Sequence, residues 1–300
     1  MKQTGQSIEC TRAIRVENVP PHAFFVISAI FHYLGPAFAV LLFRYVEPTG
    51  VAWLRIMVAA IAFSMWRRPM SVFRAASPPQ RRLLIAMGVI LALMNTVFYL
   101  AIARLPLGTV GAIEFLAPIA IAVAGLRDLR NVLALIVAVA GVALLTDVRI
   151  GGDPLAYALA FANCVLFGGY IIVGHALAKD GGASGIDRLA ASMLVAAVVA
   201  APIGSHEALP ALHDPRLLVA AIGVGICSSV IPYVCDQLAM ARLSRSTFSL
   251  MLALLPATAS LIGIIVLRQI PHAAEAVGIA LVIGGVLLHR SRTEAKKEAS

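Results

Sequence analysis

One carboxylate, Glu114, lies deep inside the apolar run "FYLAIARLPLGTVGAIEFLAPIAIAVAGL" (98–126). A charged carboxylate at the centre of a membrane helix costs about 2.5–3.5 kcal/mol, so it faces the interior of a helix bundle and has a partner or a function there. Two interpretations are open. Glu114 lines a pathway through the bundle, where it meets a substrate ammonium group or carries a proton. Alternatively it is structural, either paired with Arg55 at similar depth or protonated and bonded to a neighbouring helix.

Three further titratable side chains fall in or near apolar runs, and each has a structural and a functional interpretation. Arg55 either snorkels to the outer surface or takes part in coupling. Asp236 is either an acid at the membrane interface beside arginines or a second coupling residue. His32, near the middle of the first apolar run, is either a hydrogen-bonded packing residue or a gate that titrates.

A set of aromatic and amide side chains completes the candidates for a cavity: Phe31, Trp53, Asn95, Tyr99, Phe167 and Tyr170. Aromatic residues in apolar helices often serve only packing, and that alternative stays open for each of them. Asn95 is more informative, because a buried amide needs hydrogen-bond partners. Apolar walls with a few convergent polar groups would fit a small zwitterion that carries a hydrophobic side chain.

The composition indicates what surrounds these residues. Of the 300 residues, 60% are hydrophobic and 13% are charged, and the mean hydropathy is +0.92. Soluble domains are about half apolar and about a quarter charged. A helix crosses a bilayer in about 20 apolar residues. The stretches that qualify are 22–44, 50–66, 82–103, 107–126, 130–146, 154–178, 187–205, 217–240, 246–266 and 273–289. We therefore predict an all-α membrane protein with ten transmembrane helices.

The basic excess follows the predicted topology. The net charge is +9. Of the 24 lysines and arginines, 18 fall in segments on the same side as the N-terminus, 5 fall in loops on the other side, and Arg55 lies inside a span. The positive-inside rule then places both termini in the cytoplasm. We expect these charges to contact anionic membrane lipid rather than nucleic acid.

Several chemistries lack their motifs in this sequence. It contains no C-x-x-C, no ATP-binding G-x-x-x-x-G-K-[ST], no H-E-x-x-H and no G-x-S-x-G. The four cysteines are scattered, which predicts packing residues rather than disulfides or metal ligands. We expect no cofactor, no metal site and no catalytic residues, and we leave the oligomeric state open, a monomer included.

The two halves of the chain resemble each other. "AIARLPLGTVGAIEFLAP" (101–118) and "AMARLSRSTFSLMLALLP" (239–256) share seven of 18 positions, although an Ala- and Leu-rich sequence can produce such a match by chance. Five spans in each half would insert the second copy in the opposite orientation. Inverted repeats of this kind enclose a central cavity in many transporters that work by alternating access. The predicted divisions are a cytoplasmic tail (1–21), two five-helix repeats (22–146 and 154–289) and a basic cytoplasmic tail (290–300).

Two motifs carry a family resemblance, "MNTVFYLAIARLPLGTVGAIEFLAPIAIA" (94–122) and "IPYVCDQLAMARLSRSTFSLMLALLP" (231–256). With ten predicted spans, they resemble the EamA-type transporters of the drug/metabolite transporter superfamily. Within it the chain is most similar to bacterial threonine/homoserine exporters and their aromatic amino-acid exporting relatives. The resemblance implies an inner-membrane exporter that moves amino acids from cytoplasm to periplasm through a central cavity. The family's functional positions would fall on Arg55, Asn95, Tyr99, Glu114, Phe167 (a tryptophan position), Tyr170 and Asp236 (a glutamate position).

The sequence departs from the family pattern at two places. The family often has Glu before the proline of the ninth span, where this chain has Leu255 before Pro256. The usual Gly-Glu pair after that span reads Arg268-Gln269. Losing a second buried acid weakens strict proton coupling and threonine/homoserine specificity, and it favours a broader, more apolar substrate range. Export of drugs or other metabolites, a membrane-embedded enzyme and a structural or lipid-scrambling protein remain alternatives.

Overall fold

A computed structural model describes most of the chain, in residues 20–125, 129–147, 153–179, 185–235 and 254–288. The predicted coupling residue Asp236 lies outside the described residues. The helices are α1 Pro21–Leu42, α2 Pro48–Trp66, α3 Pro69–Ala75, α4 Pro78–Ile102, α5 Leu107–Glu114, α6 Leu116–Gly125, α7 Leu129–Asp147, α8 Pro154–Lys179, α9 Gly185–Gly204, α10 Leu209–His213, α11 Pro215–Gly225, α12 Leu254–Leu267 and α13 Ala273–Leu288. A π-helical turn, Ile226–Val230, continues α11 into helical residues 231–235.

Helical lengths agree with an α-helical membrane protein. Within the described residues, six segments are long and apolar enough to cross a bilayer: Ala23–Leu42, Pro48–Trp66, Pro78–Ile102, Pro154–Gly174, Gly185–Gly204 and Pro215–Cys235. Four shorter apolar segments are Leu107–Ile121, Leu129–Leu145, Leu255–Leu267 and Ala273–Leu288. All lie within or overlap the ten stretches expected from hydropathy. Large apolar side chains such as Val165, Val198 and Ile265 remain exposed on the bundle surface, where lipid would contact them.

Proline and short polar side chains define where many helices begin. In the described part of the chain, six helices start with proline: α1, α2, α3, α4, α8 and α11. The fixed φ of proline suits the first turn, and an N–H there would have no intrahelical partner. Ser77 and Gln80 form a capping box at the start of α4. The Asp214 carboxylate accepts a hydrogen bond from the Arg216 N–H at 2.8 Å and caps α11.

The fourth predicted span is interrupted, contrary to the single helix expected over 107–126. Helix α5 ends at Glu114, and α6 begins at Leu116. The cause is Pro118, which has no N–H to donate to the Glu114 carbonyl four residues earlier. The carboxylate that stands out in the sequence therefore lies where the helical hydrogen bonding is interrupted at one residue, Phe115, which itself keeps right-handed helical dihedral angles.

A second proline has a similar effect in α11. Pro232 cannot donate to the carbonyl of Ser228, and this carbonyl lies in the π-helical turn. Such turns occur frequently at functional sites. The helix nevertheless continues to residue 235, so the turn changes the register without ending the span.

Contacts between helices of the two halves define the bundle. Helix α1 packs on α11 and α12, α4 packs on α8 and α9, and α2 packs on α9 and α11. Helix α8 also packs on α5 and α6, α5 packs on α12, and α7 packs on α13. One apolar cluster extends through α1, α5, α7, α12 and α13, and a second joins α2, α4 and α9.

A close helix crossing predicts a stability effect at Gly35. A Cβ built there would lie 2.6 Å from the Cα of Ser228 in the π-helical turn. We expect Gly35→Ala to push α1 away from α11, at about 1–3 kcal/mol for overpacking. The thermal midpoint of the detergent-solubilised protein should fall by several degrees.

Gly223 in α11 provides the matched control for Gly35. A Cβ at Gly223 meets no heavy atom within 4 Å, so Gly223→Ala should leave the thermal midpoint unchanged or raise it slightly. Equal midpoints for the two variants would contradict the tight crossing of α1 and α11.

Candidate functional site

Buried polar side chains gather around the break between α5 and α6. We call this group the central cluster: Tyr33 on α1, Arg55 on α2, Tyr99 on α4, Glu114 on α5 and Asn163 on α8. None of them is more than 6% exposed. They come from five different helices and from both halves of the chain, so only the assembled bundle brings them together.

Glu114 forms no ion pair with any residue that the structure describes. Among the described residues, no lysine, arginine or histidine nitrogen lies within 4.0 Å of its carboxylate. The charge of Arg55 nevertheless acts on it electrostatically. The direct Glu114–Arg55 salt bridge, which was one of the structural alternatives, is therefore not formed, although the two opposite charges lie in the same buried region.

The backbone and hydroxyl of the π-helical turn hold Arg55 instead. Its Nε donates to the Ser229 hydroxyl and its Nη2 to the Ser228 carbonyl, each at 2.8 Å. This is the carbonyl to which Pro232 cannot donate. The guanidinium also lies over the Tyr99 ring, 5.4 Å from its centroid. Arg55 therefore points into the bundle, and the snorkelling alternative is wrong.

The guanidinium of Arg55 keeps hydrogen-bonding capacity. Its two bonds use Nε and Nη2, and Nη1 makes no hydrogen bond to any residue that the structure describes. A guanidinium has five N–H donors in a fixed fork that fits a carboxylate. Arg55 can thus accept an additional anionic partner without leaving its position.

Three neutral groups of the central cluster lack partners within the described part of the chain. They are the hydroxyl groups of Tyr33 and Tyr99 and both polar atoms of the Asn163 amide. A buried polar group left unsatisfied costs about 1–3 kcal/mol, and most buried polar groups in proteins have a partner. These groups therefore offer hydrogen bonds to a molecule bound between the helices.

Sequence reasoning missed Asn163. It lies in "FANCVLFGGY" on α8, four residues before Phe167, so the two side chains share one helical face. Asn163 is fully buried and adjoins the Glu114 carboxylate, although the amide does not reach hydrogen-bonding geometry. The available signal was this register with Phe167, together with the rarity of a buried amide in an apolar helix.

Aromatic rings line α8 beside the break. Phe115, which follows Glu114, lies 6.3 Å from Phe167 between ring centroids. Phe167 in turn stacks on Tyr170 at 6.1 Å, with the rings nearly parallel. Phe167 and Tyr170 are half-buried, and the structure brings both close to the α5–α6 break as a continuous apolar wall.

The other expected cavity residues contact their own helix or a neighbouring one. Trp53 donates its indole N–H to the Ala197 carbonyl at 3.1 Å and so joins α2 to α9. The Asn95 amide donates to the Leu91 carbonyl of its own helix at 2.7 Å. His32 packs edge-to-face against Tyr33 at 5.1 Å, and its neighbour Phe31 is half-buried on α1.

Gln269, one of the departures from the family pattern, contacts the first half of the chain. Its side-chain oxygen accepts a hydrogen bond from the Leu107 N–H at 3.1 Å. It thereby caps the first turn of α5 from the segment that follows α12. This polar side chain therefore joins the two halves at the end of α5 opposite Glu114.

A groove of about 520 Å³ lies elsewhere, between α2 and α9. Its walls are almost entirely apolar, with Ser64 as the polar side chain among them. None of the residues expected to form the cavity lines it. Its exposed members, such as Met65 and Val198, place it on the outer surface of the bundle.

Comparison with known proteins adds a family to this geometry. Residues 154–290 match the EamA-like transporter family. The chain is 30% identical over 273 residues to the threonine/homoserine exporter RhtA of Escherichia coli strain K12, covering 88% of this chain and 90% of that protein. It is 29% identical over 255 residues to RhtA of Salmonella typhimurium strain SL1344, covering 83% and 84%.

A solved crystal structure also has a similar fold. The superposition has a TM-score of 0.59 with 18% sequence identity, and it covers 93% of this chain and 99% of the other. At this level of identity the likeness concerns the fold alone. It extends over almost the whole length of both chains.

Proposed function

Because the chain belongs to the EamA-like transporter family, a family of multi-pass inner-membrane proteins, we propose that it exports amino acids from the cytoplasm to the periplasm by alternating access. Two of its relatives are threonine/homoserine exporters, and this supports amino acids as the substrate class. We propose a broader range for this chain because its second half has Leu255 and Gln269 where the family often has glutamates.

The observation that carries the proposal is the pair of opposite buried charges that do not neutralise each other directly. An amino acid has a carboxylate and an ammonium group on one carbon. In our proposal the open Nη1 of Arg55 binds the carboxylate, and Glu114 binds the ammonium group. The substrate would then supply the counter-charges that neither residue finds within 4.0 Å in the described part of the chain.

The aromatic wall supports a range of substrates. Phe167 contacts both Phe115 and Tyr170 beside the break, and the three rings present apolar surface with few hydrogen-bond donors. A pocket of this kind discriminates weakly, since one methylene changes binding by only about 1–3 kcal/mol. Specificity would come from the charged ammonium and carboxylate groups of the substrate, and the site would discriminate only weakly between substrate side chains.

Helix packing supports the proposed inverted repeat. In the proposed repeat, the counterparts of α1, α2 and α4 are α8, α9 and α11, and the counterpart of α5 and α6 is α12. Exchanging each helix for its counterpart converts the α1–α11 contact into the α8–α4 contact, and the α2–α11 contact into the α9–α4 contact. The α1–α12 contact likewise becomes the contact of α8 with α5 and α6, whereas α2–α9, α5–α12 and α7–α13 map onto themselves. We propose ten spans in two such halves around a central cavity, with both termini in the cytoplasm.

Uptake into proteoliposomes tests the function. We expect the purified protein to take up several members of a labelled panel (threonine, methionine, phenylalanine, lysine and glutamate) saturably and in competition with unlabelled amino acids. Neutral members should be preferred, because Arg55 and Glu114 match a head group without a third charge. A pH gradient imposed in a parallel series separates proton coupling from facilitated flux. Protein-free liposomes give the baseline, and no uptake of any member by folded protein would overturn the proposal.

A further inference from the structure

Asn163 is a buried amide whose hydrogen-bonding groups are all without partners in the described residues. The side chain is 0% exposed, and neither Nδ2 nor Oδ1 has a hydrogen-bond partner there. A carboxamide has two N–H donors and an oxygen that accepts twice. Asn95, also buried, at least donates to its own helix, whereas Asn163 does not do even this.

Packing aims this face of α8 at the break between α5 and α6. One turn beyond Asn163, Phe167 contacts Phe115. A Cβ at Gly168 would lie 3.5 Å from the Cβ of Ala117. These contacts place α8 against the residues on both sides of the break. Asn163, one helical turn away on α8, therefore lies next to Glu114.

From this geometry, and resting on the proposed function, we propose that Asn163 and Glu114 together bind the ammonium group of the substrate. The Asn163 Oδ1 accepts one ammonium N–H, and its Nδ2 donates to the Glu114 carboxylate and orients it. An ammonium group has three N–H donors, and the amide supplies a neutral acceptor beside the carboxylate. The ammonium site is thus built from both halves of the chain.

A substrate analogue without the ammonium group tests this role. The labelled amino acid that wild type takes up fastest is competed with the same unlabelled amino acid or with the 2-hydroxy acid that has the same side chain. We expect wild type to prefer the amino acid strongly. Asn163→Ala should reduce that preference at least about tenfold, because a hydrogen bond to a charged group is lost. A loss of folding stability alone would weaken both competitors equally.

Two further variants separate binding from folding. Asn163→Gln retains both the acceptor oxygen and the N–H donors of the amide and should retain part of the preference for the amino acid. Asn131→Ala removes another fully buried amide, on α7, and should leave the preference at the wild-type value even if it lowers stability. If Asn163→Ala keeps the full preference, or Asn163→Gln loses as much of it as Asn163→Ala, the proposed role is wrong while amino-acid transport stands. Absence of any uptake by wild type would overturn both proposals.

Discussion

Replacing Glu114 with glutamine is expected to lower kcat/KM for amino-acid uptake at least about a hundredfold, because a bound ammonium group then has no negative partner. Removing one member of a buried charge pair costs about 3–5 kcal/mol. The amide has nearly the same shape as the carboxylate, so the α5–α6 break, which depends on Pro118, should persist. The measurement is uptake of the labelled panel into proteoliposomes at several substrate concentrations.

The chain provides a matched control for Glu114. Glu275 is also buried, at 2% exposure, and it accepts a hydrogen bond from the His272 N–H at 3.1 Å in the first turn of α13. Glu275→Gln should therefore change stability slightly and leave kcat/KM unchanged. If Glu114→Gln retained both the wild-type rate and the wild-type response to a pH gradient, Glu114 would have no place in the pathway.

A second large effect is expected for Arg55→Gln, at least about a hundredfold in kcat/KM. The substitution removes the only positive charge that the proposal assigns to the substrate carboxylate, and an unpaired carboxylate in the bundle is costly. The diagnostic measurement is competition by an amino acid and by its carboxamide analogue. Wild type should favour the amino acid, and Arg55→Gln should lose most of that preference.

Arg55 also joins α2 to the π-helical turn, so a control must separate this contact from charge recognition. Ser229→Ala removes the hydroxyl that accepts from the Arg55 Nε but leaves the guanidinium in place. We expect less than about a tenfold loss of kcat/KM, the scale of one such hydrogen bond, with the preference for the carboxylate intact. An equal loss of preference in both variants would assign Arg55 a purely structural role.

Helix positions could be predicted from the sequence because length and polarity determine them physically. A membrane helix must be apolar over its whole length, and prolines mark many of the starts, as at Pro48, Pro78 and Pro215. The short helix α3 was missed because its seven residues lie in a basic loop that hydropathy does not resolve. The break at Glu114 was also missed, although its cause, Pro118 four residues later, is visible in the sequence.

The site could be predicted only in part, and the reason is the kind of contact involved. Glu114 stands out because a carboxylate is expensive in an apolar run. The hydrogen bonds of Arg55 to Ser228 and Ser229 could not be anticipated, since they join residues 173 and 174 positions apart and one acceptor is a backbone carbonyl. Asn163 has no charge to mark it, so only the packed bundle distinguishes it from an ordinary core amide.

Pro118 has a consequence for the free energy of ligand binding. If a helix has to unwind when a ligand binds, the free energy of unwinding weakens the affinity. An interruption imposed by proline is present before any ligand binds, so it carries no such penalty. The Glu114 carbonyl lacks its usual donor in every conformation of the chain, because no rearrangement can give proline an N–H. Preorganisation at this point is therefore a property of the amino-acid sequence itself, and the two alternating states of a carrier would share it.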